Sequence, residues 1–510
     1  MTTSEPRQNH LALAATCLAA LMFGLEISSV PVILPTLETV LGATFKDMQW
    51  IMNAYTIACT TVLMAVGTLA DRFGRKRVFG LSIAAFAVTS LLCGLAANAP
   101  LLIVSRFLQG MAGGAIFICS IAVLSHQFRD GAERGRAFAL WGVVAGIGLG
   151  FGPAIGGMIV ALSTWQWVFL VHVPLAAATL LLTAAGVRES RDPEAKRLDI
   201  AGIITLTAAV FGLTFYITQG PGLGFASIVA LAILAAAGLS FVAFIFAEQL
   251  NPHPMFDFSV FKVRNFSGAI IGCIGMNFSY WPLMIYLPIY FTAGLGYDST
   301  TTGIVLLAYT MPFLVMTPVA QYLLHRHGAR VVIPLGLFTI GLGFLLLRFG
   351  SAGPAASWLT LLPGALIAGI GIGLTNTPVT DTTTGSVSAD RSGMASGIDT
   401  SARLIALAVN IAVMGFVLVE GVLAHLERAL PVALDMSQLR GIAEGIASGS
   451  ITSLTEKIPH ASGRIVHDAL AQGFGWVMLY GGIGVWILAL TSFAILNFRR
   501  APRCVAPTRP

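Results

Sequence analysis

Two charged residues occupy stretches of sequence built almost wholly of apolar side chains. Glu26 sits inside the run from His10 to Leu37, and Arg106 inside another that covers residues 101–125. A carboxylate within a bilayer costs roughly 2.5–3.5 kcal/mol even on the lenient insertion scale. Such a group is kept where it faces a cavity, pairs or titrates. Burial favours the protonated form of a carboxyl group, which is what a proton-coupling acid needs. An arginine keeps its proton; beside an acid it can hold that acid ionised and release the acid's proton when a substrate arrives. Gln109, three residues past Arg106, shares its helical face. The plainer readings are structural, a packing ion pair for Glu26 and a structural arginine for Arg106. A pair that breaks on protonation would be both. Asp399 and Arg403 stand at i, i+4 in a third apolar run, where they either neutralise each other or take part in function. Asp381 reads as interfacial, and His172 as a packed or hydrogen-bonded histidine.

Other chemistries lack their residues. There is no GxxxxGK[ST] phosphate loop, so ATP does not drive the protein directly. No Ser/His/Asp constellation appears, and His325 and His327 flank Arg326 without acidic or cysteine partners. Five cysteines (17, 59, 93, 119 and 273) lie in apolar runs and Cys504 in the tail, with no metal-ligand spacing. We therefore expect no enzyme activity, no metal and no cofactor, with a proton gradient as the driving force.

These residues need a lipid-embedded scaffold. Of 510 residues 56% are hydrophobic and 10% charged, with a mean hydropathy of +0.84. A soluble domain carries roughly a quarter charged residues. Long unbroken apolar runs exclude a barrel, and only helices or closed barrels satisfy the backbone within lipid. Spans of about 20 residues read at 11–36, 48–70, 78–96, 101–125, 137–161, 166–186, 199–219, 224–247, 266–292, 300–324, 331–350, 356–382, 393–418 and 471–497. Glu26 then lies about 15 Å from the outer end of the first span at 1.5 Å per residue. Loops after even-numbered spans, with both tails, hold 21 of the 29 Lys and Arg residues, and the opposite loops hold six. Basic residues gather in cytoplasmic loops, so both termini should be cytoplasmic. The +6 net charge follows from that bias and implies no nucleic-acid partner. The one long outer stretch, about 420–470, suggests partial helices at the surface.

The loop after the second span, GTLADRFGRKR (Gly67 to Arg77), returns in degraded form after the tenth as QYLLHRHGAR (Gln321 to Arg330). Gly74 aligns with Gly328 and Arg72 with Arg326, while His325 replaces the acid. Copies eight spans apart fit two six-span halves with two spans inserted between them. Further on, Gly142, Gly146 and Gly150 recur at i, i+4, followed by Gly152, Pro153, Gly156 and Gly157. Small residues let helices approach closely and a proline bends a helix, so this span reads as a pliable element at a bundle interface.

These motifs carry a resemblance. Gly67, Asp71, Arg72, Gly74, Arg75 and Lys76 match the GxLaDRxGRK loop of the major facilitator superfamily. RFLQGMAGG from Arg106 resembles the family's buried-arginine motif, and GIGLGFGPAIGG from Gly146 its antiporter motif. LEISSVPVILPTL, QWIMNAY, WQWVFLVHVP and GMASGIDTSARL resemble the fourteen-helix drug–proton antiporter branch, the EmrB/QacA type. Glu26 stands where that branch usually has Asp, and His172 and Asp399 stand where Asn is expected.

The resemblance implies an all-α polytopic membrane protein with the major facilitator fold: 14 transmembrane helices as two six-helix bundles plus two inserted helices. The expected division is 1–190, 191–250 and 251–510. Glu26, Arg106, Gln109, Asp399 and Arg403 would handle proton and substrate, and Asp71 would gate through a helix N-terminus or Arg136. Asn277, Tyr280, Trp281, Tyr286 and Tyr309 would wall an amphipathic cavity. The expected function is proton-coupled export of lipophilic or amphipathic molecules from a bacterial cytoplasmic membrane. The partners would be substrate, protons and lipid, with room for a periplasmic adaptor. A proton symporter or facilitator on the same fold is the alternative, and a membrane enzyme or sensor the more distant one.

Overall fold

A computed structural model describes residues 4–128, 131–191, 199–251, 258–353, 356–387, 392–429, 435–449 and 463–497. Every long element among them is a helix. The first half runs α1 (Ser4–Leu41), α2 (Phe45–Phe73), α3 (Arg75–Gly94), α4 (Ala99–Gln127), α5 (Gly131–Leu162), α6 (Trp167–Leu170) and α7 (His172–Gly186). Two helices follow, α8 (Ile200–Leu223) and α9 (Ile228–Leu250). The second half holds α10 (Arg264–Phe278), α11 (Tyr280–Ile289), α12 (Ser299–His327), α13 (Ala329–Gly350), α14 (Trp358–Gly385), α15 (Ser392–Ala429), α16 (Met436–Ser448) and α17 (Gly463–Asn497). Among the described residues 13 helical stretches are long and apolar enough to cross a membrane. The 29-residue α2 completes the fourteen-span layout.

Prolines set the two breaks within spans. Pro174 and Pro282 each lack a donor, and each ring crowds the carbonyl four residues back, at Leu170 and Phe278, where α6 and α10 end. The span expected at 266–292 is thus α10, α11 and a π turn at Tyr290–Gly294. Helix starts are capped as their sequences dictate. Thr44 and Asp47 form a capping box on α2, and Asp298 caps α12 through Thr301, whose hydroxyl and amide hold the Asp298 carboxyl below its usual range. The repeat expected from sequence recurs in geometry. Gly74 joins α2 to α3 at φ 111° and Gly328 joins α12 to α13 at φ 77°, a left-handed turn that a side chain disfavours.

The outer stretch is shorter than expected, since α15 continues to Ala429. Beyond it α16 is a short amphipathic helix that buries Leu439, Ile442, Ala443 and Ile446. Residues 430–434 and 450–462 lie outside the described residues.

The halves meet over the end of the bundle opposite the termini, here the distal end. Helix α5 presents two small-residue faces. Gly148 lies against Leu21 and Gly24 of α1, where a Cβ would come within 2.8 Å of the Leu21 carbonyl, and Ser28 donates to the Gly148 carbonyl at 2.9 Å. Gly152 and Gly156 continue that face against Ser28 and Ser29. The other face crosses to the second half. Gly157 abuts Ser299, Pro153 abuts Gly303, and Gly150 and Gly146 abut Met311 and Leu314 of α12. Thr310 donates to the Gly150 carbonyl at 2.6 Å. Toward the terminal end the two helices part, leaving Leu140, Val143, Val315 and Val319 exposed. Further distal contacts between the halves are Lys46 with Glu444 at 3.6 Å and Gln49 with the Tyr286 hydroxyl at 3.0 Å, and Arg440 pairs with Glu420 within the second half at 2.5 Å.

A valine at 157 would place its Cβ against the Ser299 carbonyl. Overpacking costs typically 1–3 kcal/mol, a shift of roughly five- to a hundredfold in a closed–open equilibrium. Gly157→Val should therefore lower bis-maleimide cross-linking between cysteines placed at 46 and 444, by up to about fivefold at the lower figure and by more at the upper. Unchanged yield would refute the α5–α12 seam as the distal closure.

Candidate functional site

The site is assembled on α1, α2 and α4, and glycines make it compact. A Cβ on Gly110 would press on the Tyr55 backbone, and one on Gly114 would lie 3.2 Å from the Cys59 Cα, so α4 lies directly on α2. That approach brings Arg106 under the first half's core, where both Arg106 and Glu26 are 0% exposed. Arg106 Nη1 pairs with Glu26 Oε1 and donates to Gln109 Oε1 at 2.7 Å. Its Nε donates to the Ile51 carbonyl at 3.2 Å, and its plane lies 4.2 Å over the Tyr55 ring, a cation–π contact. Gln109 is fixed in turn, donating to Ser90 Oγ at 2.9 Å. Arg106 Nη2 is buried without a hydrogen-bond partner among the described residues. A fully desolvated pair of this kind is held by geometry, and losing one partner strands the other at roughly 3–5 kcal/mol. Sequence reasoning expected Glu26, Arg106 and Gln109 to act together, and the fold brings all three into contact.

His172 is the packed, hydrogen-bonded histidine that the sequence suggests, and it also lies beside Glu26. The break before α7 seats this residue at 0% exposure with Nδ1 3.3 Å from Glu26 Oε2 and 3.3 Å from the Phe169 carbonyl. Phe86 meets its ring edge-on at 5.5 Å. The signal available in the sequence was Pro174, which places the break and so turns His172 inward.

Arg106 lines a small cavity of about 30 Å³ between the halves, together with Ile27, Met52, Trp281, Met284 and Leu407 among others, and Glu26 lies behind it. Of the five residues expected to wall a cavity, Trp281 lines this one and Tyr309 lines a separate apolar pocket of about 230 Å³ among α11–α14. Tyr280 and Tyr309 stack on each other at 4.2 Å and donate to each other's backbone carbonyls, a staple between α11 and α12. Tyr286 donates to the Ile411 carbonyl at 2.5 Å, and Asn277 to the Cys273 carbonyl of its own helix. Their polar groups are spent on helix packing, which the side-chain types alone did not disclose.

Asp399 and Arg403 form a second, separate cluster in the other half. Arg403 Nε lies 3.0 Å from Asp399 Oδ2, Nη1 donates to Asn376, and Nη2 donates to Thr380 at 2.8 Å. Asp399 Oδ1 is buried without a partner among the described residues. Asn376 and Thr380, two turns of α14, were not anticipated.

The loop acid differs from expectation. Asp71 pairs with Arg75 at 2.7 Å and with neither Arg136 nor a helix N-terminus. Glu189 occupies the start of α3 instead, accepting from the backbone of Lys76 at 3.1 Å and Arg77 at 3.2 Å, a favourable place for an anion. Lys76 Nζ donates to the Ala184 carbonyl at 2.8 Å, Arg72 lies over Phe73, and Gly67 faces Ile118 of α4. With the distal end shut, the terminal end is the one where the halves part, and Asp71 is held within its own half.

Known proteins agree with this architecture. Residues 16–410 match the Major Facilitator Superfamily model. The chain is similar to the "Multidrug resistance protein Stp" of Mycobacterium tuberculosis, 32% identical over 429 residues, 83% of this chain and 79% of the relative. It is also similar to the "Drug efflux pump JefA" of the same organism, 29% identical over 521 residues and covering 98% and 99% of the two chains. The "Tetracenomycin C resistance and export protein" of Streptomyces glaucescens is 27% identical over 504 residues, 96% of this chain and 91% of the relative. The match over most of the length, on a fourteen-span bundle with the repeated loop in place, means that this chain belongs to the major facilitator superfamily.

Proposed function

We propose that this chain exports apolar or amphipathic small molecules in exchange for protons, by alternating access. The observation that carries the reading is the buried Glu26–Arg106 pair, whose arginine lines a small, mostly apolar cavity between the halves. Protonation of Glu26 neutralises one partner and leaves Arg106 as an uncompensated buried cation. That change is large enough to alter which arrangement of the halves is preferred. Relatives named for drug resistance and efflux support the direction and the substrate class. We take residues 1–190 and 251–510 as the rocking bundles and 191–250 as the insertion. The loop charges support cytoplasmic termini in a bacterial inner membrane, so the distal closure corresponds to an inward-facing state. Asp71, released from Arg75, is then free to engage the other half when the inner side closes. The driving force is the proton gradient, with roughly 2.3 kcal/mol per charge per 100 mV of membrane potential in addition.

Two tests follow. In proteoliposomes with an imposed pH gradient, challenge with a panel of cationic dyes, biocides and anionic metabolites should drive protons opposite to the exported compound. Glu26→Gln, which keeps the shape and loses the titrating proton, should cut that counterflow at least about tenfold. Counterflow at the wild-type rate would remove Glu26 from the mechanism, and movement of protons with the compound would favour the symporter. Second, Arg106→Ala should lower stability by about 3–5 kcal/mol in detergent denaturation by stranding Glu26. The double variant Glu26→Gln/Arg106→Gln should recover part of the loss. A single variant as stable as wild type would show that the pair is not desolvated.

A further inference from the structure

We propose that His172 is the proton donor to Glu26, taking a proton on Nε2 and passing the one on Nδ1 to Glu26 Oε2. The inference rests on the antiport reading and extends it to a residue that the pair alone does not require. Nδ1 faces two oxygens at 3.3 Å, the Phe169 carbonyl and Glu26 Oε2. A carbonyl and an ionised carboxylate can only accept, so Nδ1 carries the hydrogen. The alignment favours the carbonyl, and Oε2 has no other hydrogen bond. It is the next acceptor within reach of a small tilt of the ring. The opposite nitrogen, Nε2, is buried and has no hydrogen-bond partner among the described residues. It is an open lone pair on the far side of the ring from Glu26.

The placement fits the direction of proton flow. His172 lies six residues past Gln166 in the distal loop, about 9 Å deep at 1.5 Å per residue. The loop charges make that face external, the side from which protons run downhill. The titratable and charged groups of this pocket are Glu26 on α1, Tyr55 and Cys59 on α2, Cys93 on α3 and Arg106 on α4, while α6 contributes none. Of these, Glu26 alone is an anion within reach of Nδ1. In the transfer an O–H bond of a hydronium ion from the external water breaks as an N–H bond forms at Nε2, leaving water, and the Nδ1–H bond breaks as an O–H bond forms on Glu26. No electrons change hands. Glu26 becomes neutral, and the imidazole ends neutral with its hydrogen on Nε2. It regains its starting form by losing that hydrogen and taking one at Nδ1 when the site opens to water.

The test uses the full-length protein in proteoliposomes and the dye that the wild type exports fastest. His172→Asn and His172→Gln keep a donor toward Glu26 and cannot relay. Turnover at saturating dye should fall at least about tenfold, while the Kd of the dye stays within about twofold. The solvent deuterium isotope effect on turnover should rise, because proton delivery becomes the slow step. Wild-type turnover in either folded variant would overturn the relay. So would a parallel loss of binding and turnover, or failure of both variants to fold, since each marks a packing role. A wild-type protein that moves dye without proton counterflow would overturn the antiport reading itself, and the relay with it.

Discussion

The desolvated ion pair between Glu26 and Arg106 is the constraint around which the first half is arranged. Neither charge is tolerable alone at that depth, and the remaining polar atoms around them must be matched. The chain meets this with Gln109, Ser90, the Ile51 carbonyl and the Tyr55 ring face. The glycines of α4 are the backbone side of the same requirement. Without Gly110 and Gly114 the helix carrying Arg106 could not lie on α2, and neither the ring nor the carbonyl would be in reach. Chemistry and packing are here one arrangement.

A second consequence concerns α5. One of its faces is bonded to α1, the helix that bears Glu26, and the other to α12 in the opposite half. A rearrangement around the pair therefore has a short mechanical path to the seam between halves. It runs through two interfaces of small residues where backbones nearly touch. Packed interfaces of this kind are bistable more readily than they are deformable, which suits a molecule that must occupy two shapes.

Much of this was legible in the chain. Hydropathy and loop charge bring out the spans, and the two loop copies mark the six-plus-two-plus-six plan. Gly74 and Gly328 show why the second copy is readable even though His325 has replaced the acid: both turns demand a left-handed residue. Glu26, Arg106 and Gln109 stood out because charge in lipid is costly. What stayed hidden was partner choice. Asp71 and Arg136 are both cytoplasmic-loop charges by pattern, and only the path of the chain after α7 puts Glu189 on α3 and leaves Asp71 to Arg75. The tyrosines of α11 and α12 make two spans aromatic and mildly polar, a composition that suits a cavity wall and does not show what each hydroxyl bonds. Backbone carbonyls of facing helices take up these hydroxyls, Tyr280 and Tyr309 reciprocally and Tyr286 on α15. His172 is packed and hydrogen-bonded as its place in an apolar run suggests, and the pattern carries no sign that it also faces Glu26.

The inserted pair α8–α9 makes the two flanks of the molecule unequal. Helix α8 packs on α2 in the first half, through Trp50 with Phe211 and Thr61 with Thr207, and on α15 in the second. Phe225 at its distal turn meets Phe416 edge-on. The α2–α15 seam is thus roofed by a hairpin that touches both sides, whereas the α5–α12 seam opens toward the terminal end with bare aliphatic side chains. The flanks differ in relief as well: α8, α9 and α15 enclose an apolar pocket of about 250 Å³ lined by Leu206, Val210, Phe241 and Ile405, while the α5–α12 flank presents bare aliphatic side chains.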